Sequence, residues 1–338
     1  MATDSPQSQA QPPAEPSLSS AYGLGLRLHF PLPGFPPRPA PAGTPLVDVC
    51  AVGQDELLDR WSGGAVAMVW ETVLDGAGYR LTRGGAGDHL FEYASRAAFH
   101  LTADGLSLAC SDPGTKTADW RRTLTDTVLW SVALLHGRSL LHASAVAGPD
   151  GVVAIAAARG GGKSSVAAAL ALGGWPLVTD DILAFEACGE RVIVSPGPAL
   201  MNLAAAPDSV PDPAALGDIL DVFGGEERPE AWVRVHGCAS AELPLAAVVL
   251  PVRSASAGPL ARRSAAPLTL VAHTLAFRSM DGALRHRFEA VGDLVERIPV
   301  FCIQVGVDVS PFELAAALRL PTTGQSPDHA AAVHRGSC

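Results

Sequence analysis

Lysine is almost absent from this chain. Reading its 338 residues gives only Lys116 and Lys163, so nearly all of the 24 basic residues are arginine, against 34 acidic residues and a net charge of −10. That balance argues against a nucleic-acid groove, which needs a basic stripe to displace counterions from phosphates. The six cysteines, Cys50, Cys110, Cys188, Cys238, Cys302 and Cys338, form no CxxC pair. Neither a zinc site nor a disulfide framework is indicated, and reduced thiols in a cytoplasmic protein are expected. The N-terminal residues lack a basic segment followed by an apolar one, so no signal peptide is expected. No apolar run reaches the roughly 18 residues of a membrane span.

What is present is a generous supply of core-forming residues, 48% hydrophobic with only 17% charged. Residues 1–44 are rich in Pro, Ala, Ser and Gln, and composition of that kind predicts a disordered segment, with LGLRLHF (residues 24–30) as a conceivable isolated strand. From 45 to 112, short alternating runs such as GYRLTR and HLFEYA are broken by Gly and Asp, which predicts a small β-rich region with a turn at Asp104-Gly105. Residues 113–321 are expected to form one larger domain. It begins with a helix in which Trp120, Leu124 and Val128 recur at helical spacing, and residues 322–338 read as a flexible tail.

The densest stretch lies between 139 and 185. It predicts strands over 140–146 and 152–156, a glycine loop, a helix from Lys163 to Leu172, and a strand over 176–179 ending in Asp180-Asp181. Strand, loop, helix and strand within so short a length predict a βαβ unit and hence an α/β core. The loop Ala157-Ala158-Arg159-Gly160-Gly161-Gly162-Lys163-Ser164 follows the GxxxxGK[ST] pattern except that Ala157 stands where the first glycine belongs. Glycines let backbone N–H groups turn inward around phosphates, and the following helix start adds partial positive charge. Arg159, Gly160, Gly161, Gly162, Lys163, Ser164 and Ser165 are therefore the candidate nucleotide contacts. Lys163 can reach the β and γ phosphates and the Ser164 hydroxyl can bind Mg²⁺. An ordinary glycine turn into a helix is the competing reading. Ala157 would resist a positive φ, which predicts a slightly displaced loop.

Asp180 and Asp181 follow an apolar strand, at the carboxyl end where ligands collect in open α/β sheets. Two carboxylates beside a triphosphate suit one metal contact and one proton acceptor, whereas a solvated turn is the bland alternative. His142, within LLHASAV, is a core histidine unless its strand flanks the loop. Arg285 and Arg287 in RHRF are candidates for holding an anion, though a solvated helix face is the favoured reading of such a charge run.

These segments resemble a known family. LLHASAV, GVVAIAAARGGGKSSVAAALALGG, PLVTDDILAF and SPGPALMNL, with ELPLAAVVL, LTLVAHTLAF and RHRFEAVGDLVERIPVFCIQV further on, look like the catalytic domain of HPr kinase/phosphorylase and its smaller serine-kinase relatives, over about residues 120–320. The resemblance implies a P-loop α/β fold and ATP-dependent phosphorylation of a serine hydroxyl. By position, Lys163 would hold phosphates, Ser164 and Asp181 the Mg²⁺, Asp180 would be the general base, and His142 would support the acidic pair. Some relatives act in peptide natural-product pathways, lasso peptide biosynthesis among them, which implies a precursor peptide or protein with an acceptor serine as partner. Assembly into a homo-oligomer is also implied. The glycine-rich segment tied to phosphorolysis is missing. A non-catalytic nucleotide-binding module and a P-loop ATPase coupled to a partner remain open as alternatives.

Overall fold

The computed structural model describes residues 15–61, 64–74, 77–93, 97–111, 118–205, 211–224, 229–254, 261–264, 268–276, 283–306 and 308–319. The fold is mixed α/β. An eight-stranded sheet comes first, from β1 (Ser17–Ala21), β2 (Leu24–Leu28), β3 (Leu46–Val52), β4 (Ala65–Leu74), β5 (Ala77–Gly84), β6 (His89–Tyr93), β7 (Ala97–Leu101) and β8 (Ser107–Ser111). Its spatial order is β1-β2-β3-β8-β7-β6-β5-β4, with β2, β3 and β8 mutually parallel and the other pairs antiparallel. A short helix, α1 (Gln54–Arg60), packs on β7 and β8. The Asp104-Gly105 turn forms as its residue types predict, with Gly105 at φ 71°.

The expected disorder of residues 1–44 is corrected for residues 15–44. Two strands of the sheet lie there, and the proline-rich stretch runs beside them: Ser19 Oγ donates to the Pro36 carbonyl at 2.8 Å and Arg38 N–H to that of Leu18 at 3.2 Å. Composition misled for two reasons. Phe30, Leu32 and Phe35 all bury, and each apolar side chain removed from water contributes about 1.5–3 kcal/mol. Proline, with φ already fixed, also has less conformational freedom to lose on ordering. Residues 1–14 and the expected tail at 322–338 lie outside the described residues.

A helical stretch follows, α2 (Ala118–Thr123), a π-turn (Leu124–Val128) and α3 (Leu129–Leu135). One apolar cluster joins Phe30, Phe99, Trp120, Leu129, Leu200 and Trp232, so the first sheet shares its core with the later part of the chain. Trp120 sits between Phe30 and Phe99, at ring distances of 5.5 and 6.0 Å, and its Nε1–H donates to the Ser111 carbonyl.

The remainder holds β9 (Ser139–Gly148), β10 (Gly151–Ala156), α4 (Lys163–Leu172), β11 (Leu177–Thr179), β12 (Ile182–Cys188), β13 (Arg191–Ser195), β14 (Leu200–Ala204), β15 (Gly217–Phe223), β16 (Glu230–Val235), β17 (Leu243–Ser254), β18 (Ala261–Ser264), α5 (Leu268–Val271), α6 (Ala283–Arg297), β19 (Val300–Gly306) and α7 (Pro311–Arg319). The second sheet runs β10-β9-β12-β13-β17-β19-β18, and β10 also pairs with β17, so five strands pair in a closed ring. Strands β14, β16 and β15 form a third, antiparallel sheet.

The expected strand–helix–strand unit is present with a difference. Strands β10 and β11 are both antiparallel to β9, which lies between them, so they are parallel to each other but not adjacent. The true parallel neighbours of the phosphate-loop strand are non-local: β10 pairs with β17, and β17 with β19. A tight β9–β10 hairpin, with Gly151 at φ 124°, accounts for the inserted antiparallel strand. Helix α4 buries Val166, Ala167, Ala168, Ala169 and Leu170, and packs against α7, β9 and β14. Arg319 of α7 donates to the Leu170 carbonyl at 2.7 Å, satisfying one of the open acceptors at the end of α4.

Candidate functional site

Strand β10 ends at Ala156 and the chain loops through 157–162 into α4. Gly160 and Gly162 hold φ of 77° and 87°, conformations that a residue with a Cβ adopts only under strain. Ala157 is not strained, because the positive angles fall on these glycines rather than on it. It is buried, and a Cβ built on Gly161 would stand 2.7 Å from the Ala157 Cβ. Alanine at 157 is thus accommodated because Gly161 has no side chain, and the feared displacement of the loop loses its cause. Arg159 is exposed on the loop, while Ser164 and Ser165 lie half-buried in the first turn of α4.

Lys163 is 8% exposed, and its Nζ lies 2.6 Å from Asp181 Oδ1. The same oxygen is 2.9 Å from His142 Nε2, so Lys163, His142 and Asp181 meet at one carboxylate. Asp180, 8% exposed, points the other way: its Oδ1 accepts from Ser144 Oγ at 2.5 Å and its Oδ2 from the Asn202 N–H at 3.1 Å. The two carboxylates diverge because Asp181 has φ 65° and the Ile182 N–H bonds back to the Asp180 carbonyl at 2.8 Å. An i→i+2 bond around a positive φ is the strained form of the γ-turn. Strain of this kind persists only where the surroundings over-determine it.

The two acids titrate in opposite directions. Burial, then the neighbouring charge of Asp181, raises Asp180 above the usual carboxylate range, against the opposing influence of Lys163 and the Ser144 and Asn202 hydrogen bonds. For Asp181 the upward push of burial is overcome by the His142 hydrogen bond and the Lys163 charge, and its pKa falls well below that range. One carboxyl is held ionised, and its neighbour has a raised proton affinity.

Further residues complete the surroundings, and sequence reasoning singled out none of them. Tyr22 and Gly23, at φ 56° and 76°, are the two-residue turn of the β1–β2 hairpin. The Tyr22 phenol is held un-ionised by burial and then by the charges of Asp126, Asp181 and Asp180. Asp126 lies in the π-turn, an irregularity frequent at functional positions, and its Oδ2 accepts from Asn202 Nδ2 at 2.9 Å. Burial raises the Asp126 pKa, with hydrogen bonds from Thr125 and Asn202 opposing. His273 accepts the His142 N–H on its carbonyl at 2.7 Å, and burial, then the charges of His142 and Lys163, lower its ring pKa. Arg253 of β17 has Nη2 3.7 Å from where a Gly162 Cβ would be, and donates to the carbonyls of Gly306 and Val309. Only Arg253 carried a visible signal, a charge at the end of an apolar strand.

Arg287 on α6 donates to the Ala276 carbonyl at 3.2 Å, and no hydrogen bond or ion pair among the described residues ties it or Arg285 to the acidic pair. No cluster of three His, Cys, Asp or Glu among the described residues could hold a metal alone. The donor set of one hydroxyl and one carboxylate fits Mg²⁺, which commonly takes one or two carboxylates and completes its shell with substrate phosphates and water. No helix among the described residues is long and apolar enough to cross a membrane.

No family model matches the chain, and no curated protein matches it. Among solved structures, the HPr(Ser) kinase/phosphatase from Coxiella burnetii aligns with 53% of this chain and 93% of its own, at 15% identity and a TM-score of 0.31. A likeness that low carries no assignment.

Proposed function

We propose that this chain is an ATP-dependent kinase that transfers the γ-phosphate to a hydroxyl of a peptide or protein, with serine as the acceptor. The observation that carries the reading is the split acidic pair at the end of β11, one acid ion-paired to the loop lysine and the other buried, hydrogen-bonded and raised in pKa. A turn that merely holds structure has no need of that strain. A module that only binds nucleotide has no need of a proton acceptor beside the phosphates.

The loop N–H groups and Lys163 would receive the β and γ phosphates, at a helix start whose dipole favours anions. In the structure Lys163 is engaged by Asp181, so nucleotide binding would share or displace that ion pair. Ser164 and Asp181 would hold Mg²⁺, which supplies neutralisation of the charge that develops on the transferring group. Asp180 would take the acceptor's hydroxyl proton as oxygen attacks phosphorus, with Ser144 and the Asn202 N–H holding its carboxyl in place. His142 would orient Asp181, and Arg253 would add positive charge at the loop.

The test is transfer of label from γ-labelled ATP in the presence of Mg²⁺ and serine-containing peptides, run beside Lys163→Ala and Asp180→Asn. Label should reach the peptide and be lost in both variants. ATP consumed with no labelled product would make the protein an ATPase, and ATP bound without turnover would make it a regulatory module.

A further inference from the structure

Arg38, in the proline-rich segment, is 6% exposed and forms no ion pair among the described residues. Its Nη1 donates to the Ser20 carbonyl at 3.4 Å and its Nη2 to the Ala239 carbonyl at 2.8 Å, while the buried Nε has no acceptor. A guanidinium withdrawn from water and left without a carboxylate is costly, because two carbonyl dipoles replace only part of its lost hydration. Burial accordingly pulls its pKa down, although an arginine still stays charged.

Arg38 lines a cavity of about 330 Å³, a volume in the range of small-ligand sites. Pro39, Pro41 and Pro196 contribute apolar wall, and Ser240 and Glu242 stand with it. Glu242, which accepts from Ser195 Oγ at 2.8 Å, places a negative charge at this cavity. Dianions such as phosphate are therefore disfavoured, and a single carboxylate suits Arg38 better.

The cavity backs onto the candidate site. Ala21 and Gly23 in its wall flank Tyr22, whose N–H donates to the Pro196 carbonyl at 3.0 Å. The next residue, Gly197, donates to the Val178 carbonyl at 2.9 Å, and a Cβ there would meet both Thr179 and the Tyr22 ring. The hairpin tip and this Pro-Gly pair are the partition between Arg38 and the strand that ends in Asp180.

We propose that this cavity is a carboxylate-binding subsite, separated from Asp180 by that partition, in which Arg38 receives a single carboxylate of a bound ligand. Carboxylate binding here does not rest on the kinase reading. The same chemistry could come from a free organic acid or from an acidic residue of a peptide.

The experiment is thermal unfolding of the full chain with sodium propionate, propionamide or sodium chloride at matched ionic strength. A parallel pair of end-blocked peptides differs only by Asp or Asn. Propionate, the Asp peptide or both should raise Tm by about 2 °C or more over their neutral counterparts and over chloride. Arg38→Met should abolish the shift. Because Arg38 also braces two carbonyls, Ala241→Trp, which blocks the cavity and leaves Arg38 in place, must abolish it as well and decides the matter if the first variant fails to fold. A shift with propionate alone assigns a free acid, and one with the Asp peptide alone assigns a peptide. No shift with either, an equal shift with chloride, or a full shift in both variants overturns the subsite. Label transfer from ATP is read separately. Intact transfer without a Tm shift sinks only the subsite, and a Tm shift without transfer sinks only the kinase reading.

Discussion

The two sides of the candidate site are built in different ways. One side, the glycine loop with His142, Lys163, Asp180 and Asp181, comes from a single run of chain, and His142, Lys163 and Asp181 meet within 3 Å. The other side brings together Tyr22 from a hairpin turn, Asp126 from a π-turn, Asn202 from β14, His273 from beyond α5 and Arg253 from β17. The local side carries the charges that, on the proposed reading, would act on phosphate and proton. The assembled side sets the environment of those charges: it buries Asp180, anchors Asn202 and encloses the acids. The glycine loop is therefore only half of the site, and the half that tunes proton affinity depends on the whole fold.

The comparison breaks most directly at Asp180. Asp180→Asn is expected to lower the single-turnover transfer rate by about 10²- to 10⁴-fold while ATP affinity, measured by equilibrium binding, stays within a few-fold. Equal loss of affinity would move Asp180 to the binding role assigned to its neighbour. Phe30→Ala tests whether the distal side depends on the N-terminal segment. Phe30 is 6% exposed and packs on Trp120, so the variant should lose about 3–5 kcal/mol in urea unfolding, and an unchanged midpoint would mean that this segment is not part of the core.

A smaller effect is expected at Asp126. Asp126→Ala removes the acceptor of Asn202 Nδ2, and with it the anchor of the N–H that holds Asp180; turnover should fall by about tenfold, Asp126→Asn falling less because its amide oxygen still accepts.

The pH profile sharpens the contrast between the acids. Asp180 must be ionised to accept a proton, and its pKa is raised, so transfer should fall on the acid side at a pH above the ordinary carboxylate range, and that limb should vanish in Asp180→Asn. Asp181 contributes in the opposite sense. Its folded pKa is depressed, so its stabilisation is present above its unfolded pKa of about 4 and is lost as pH falls through the folded value, visible as a steeper acid loss of Tm in wild type than in Asp181→Asn. The smallest effect belongs to Ala157→Gly, which restores the usual loop glycine yet should change ATP affinity less than about twofold, since no positive φ is needed there. Gly161→Ala, which would collide with the Ala157 Cβ, should instead abolish ATP binding.

Much of the local side was legible in the residues. Glycines before Lys163 and an acid pair after an apolar strand declare themselves because their geometry is set by neighbours in sequence, and the helix from Lys163 to Leu172 forms where its spacing predicts. Two expectations did not survive contact with tertiary structure. The proline-rich segment is ordered because Phe30, Leu32 and Phe35 find partners contributed from far along the chain. The phosphate-loop strand has β17 rather than β11 as its parallel neighbour, because a tight hairpin lays β9 alongside it. Arg285 and Arg287 show no tie to the acids, while Arg253, not singled out, reaches the loop.

By itself the sequence determined the glycine loop, the helix behind it and the position of the two carboxylates after an apolar strand, since bond geometry and short-range hydrogen bonds act over a few residues. Only the tertiary structure decided which acid is buried and which is ion-paired, and which distant tyrosine, aspartate and arginines stand around them. Those outcomes depend on desolvation and on charges brought together across the fold, neither of which is encoded at any one position.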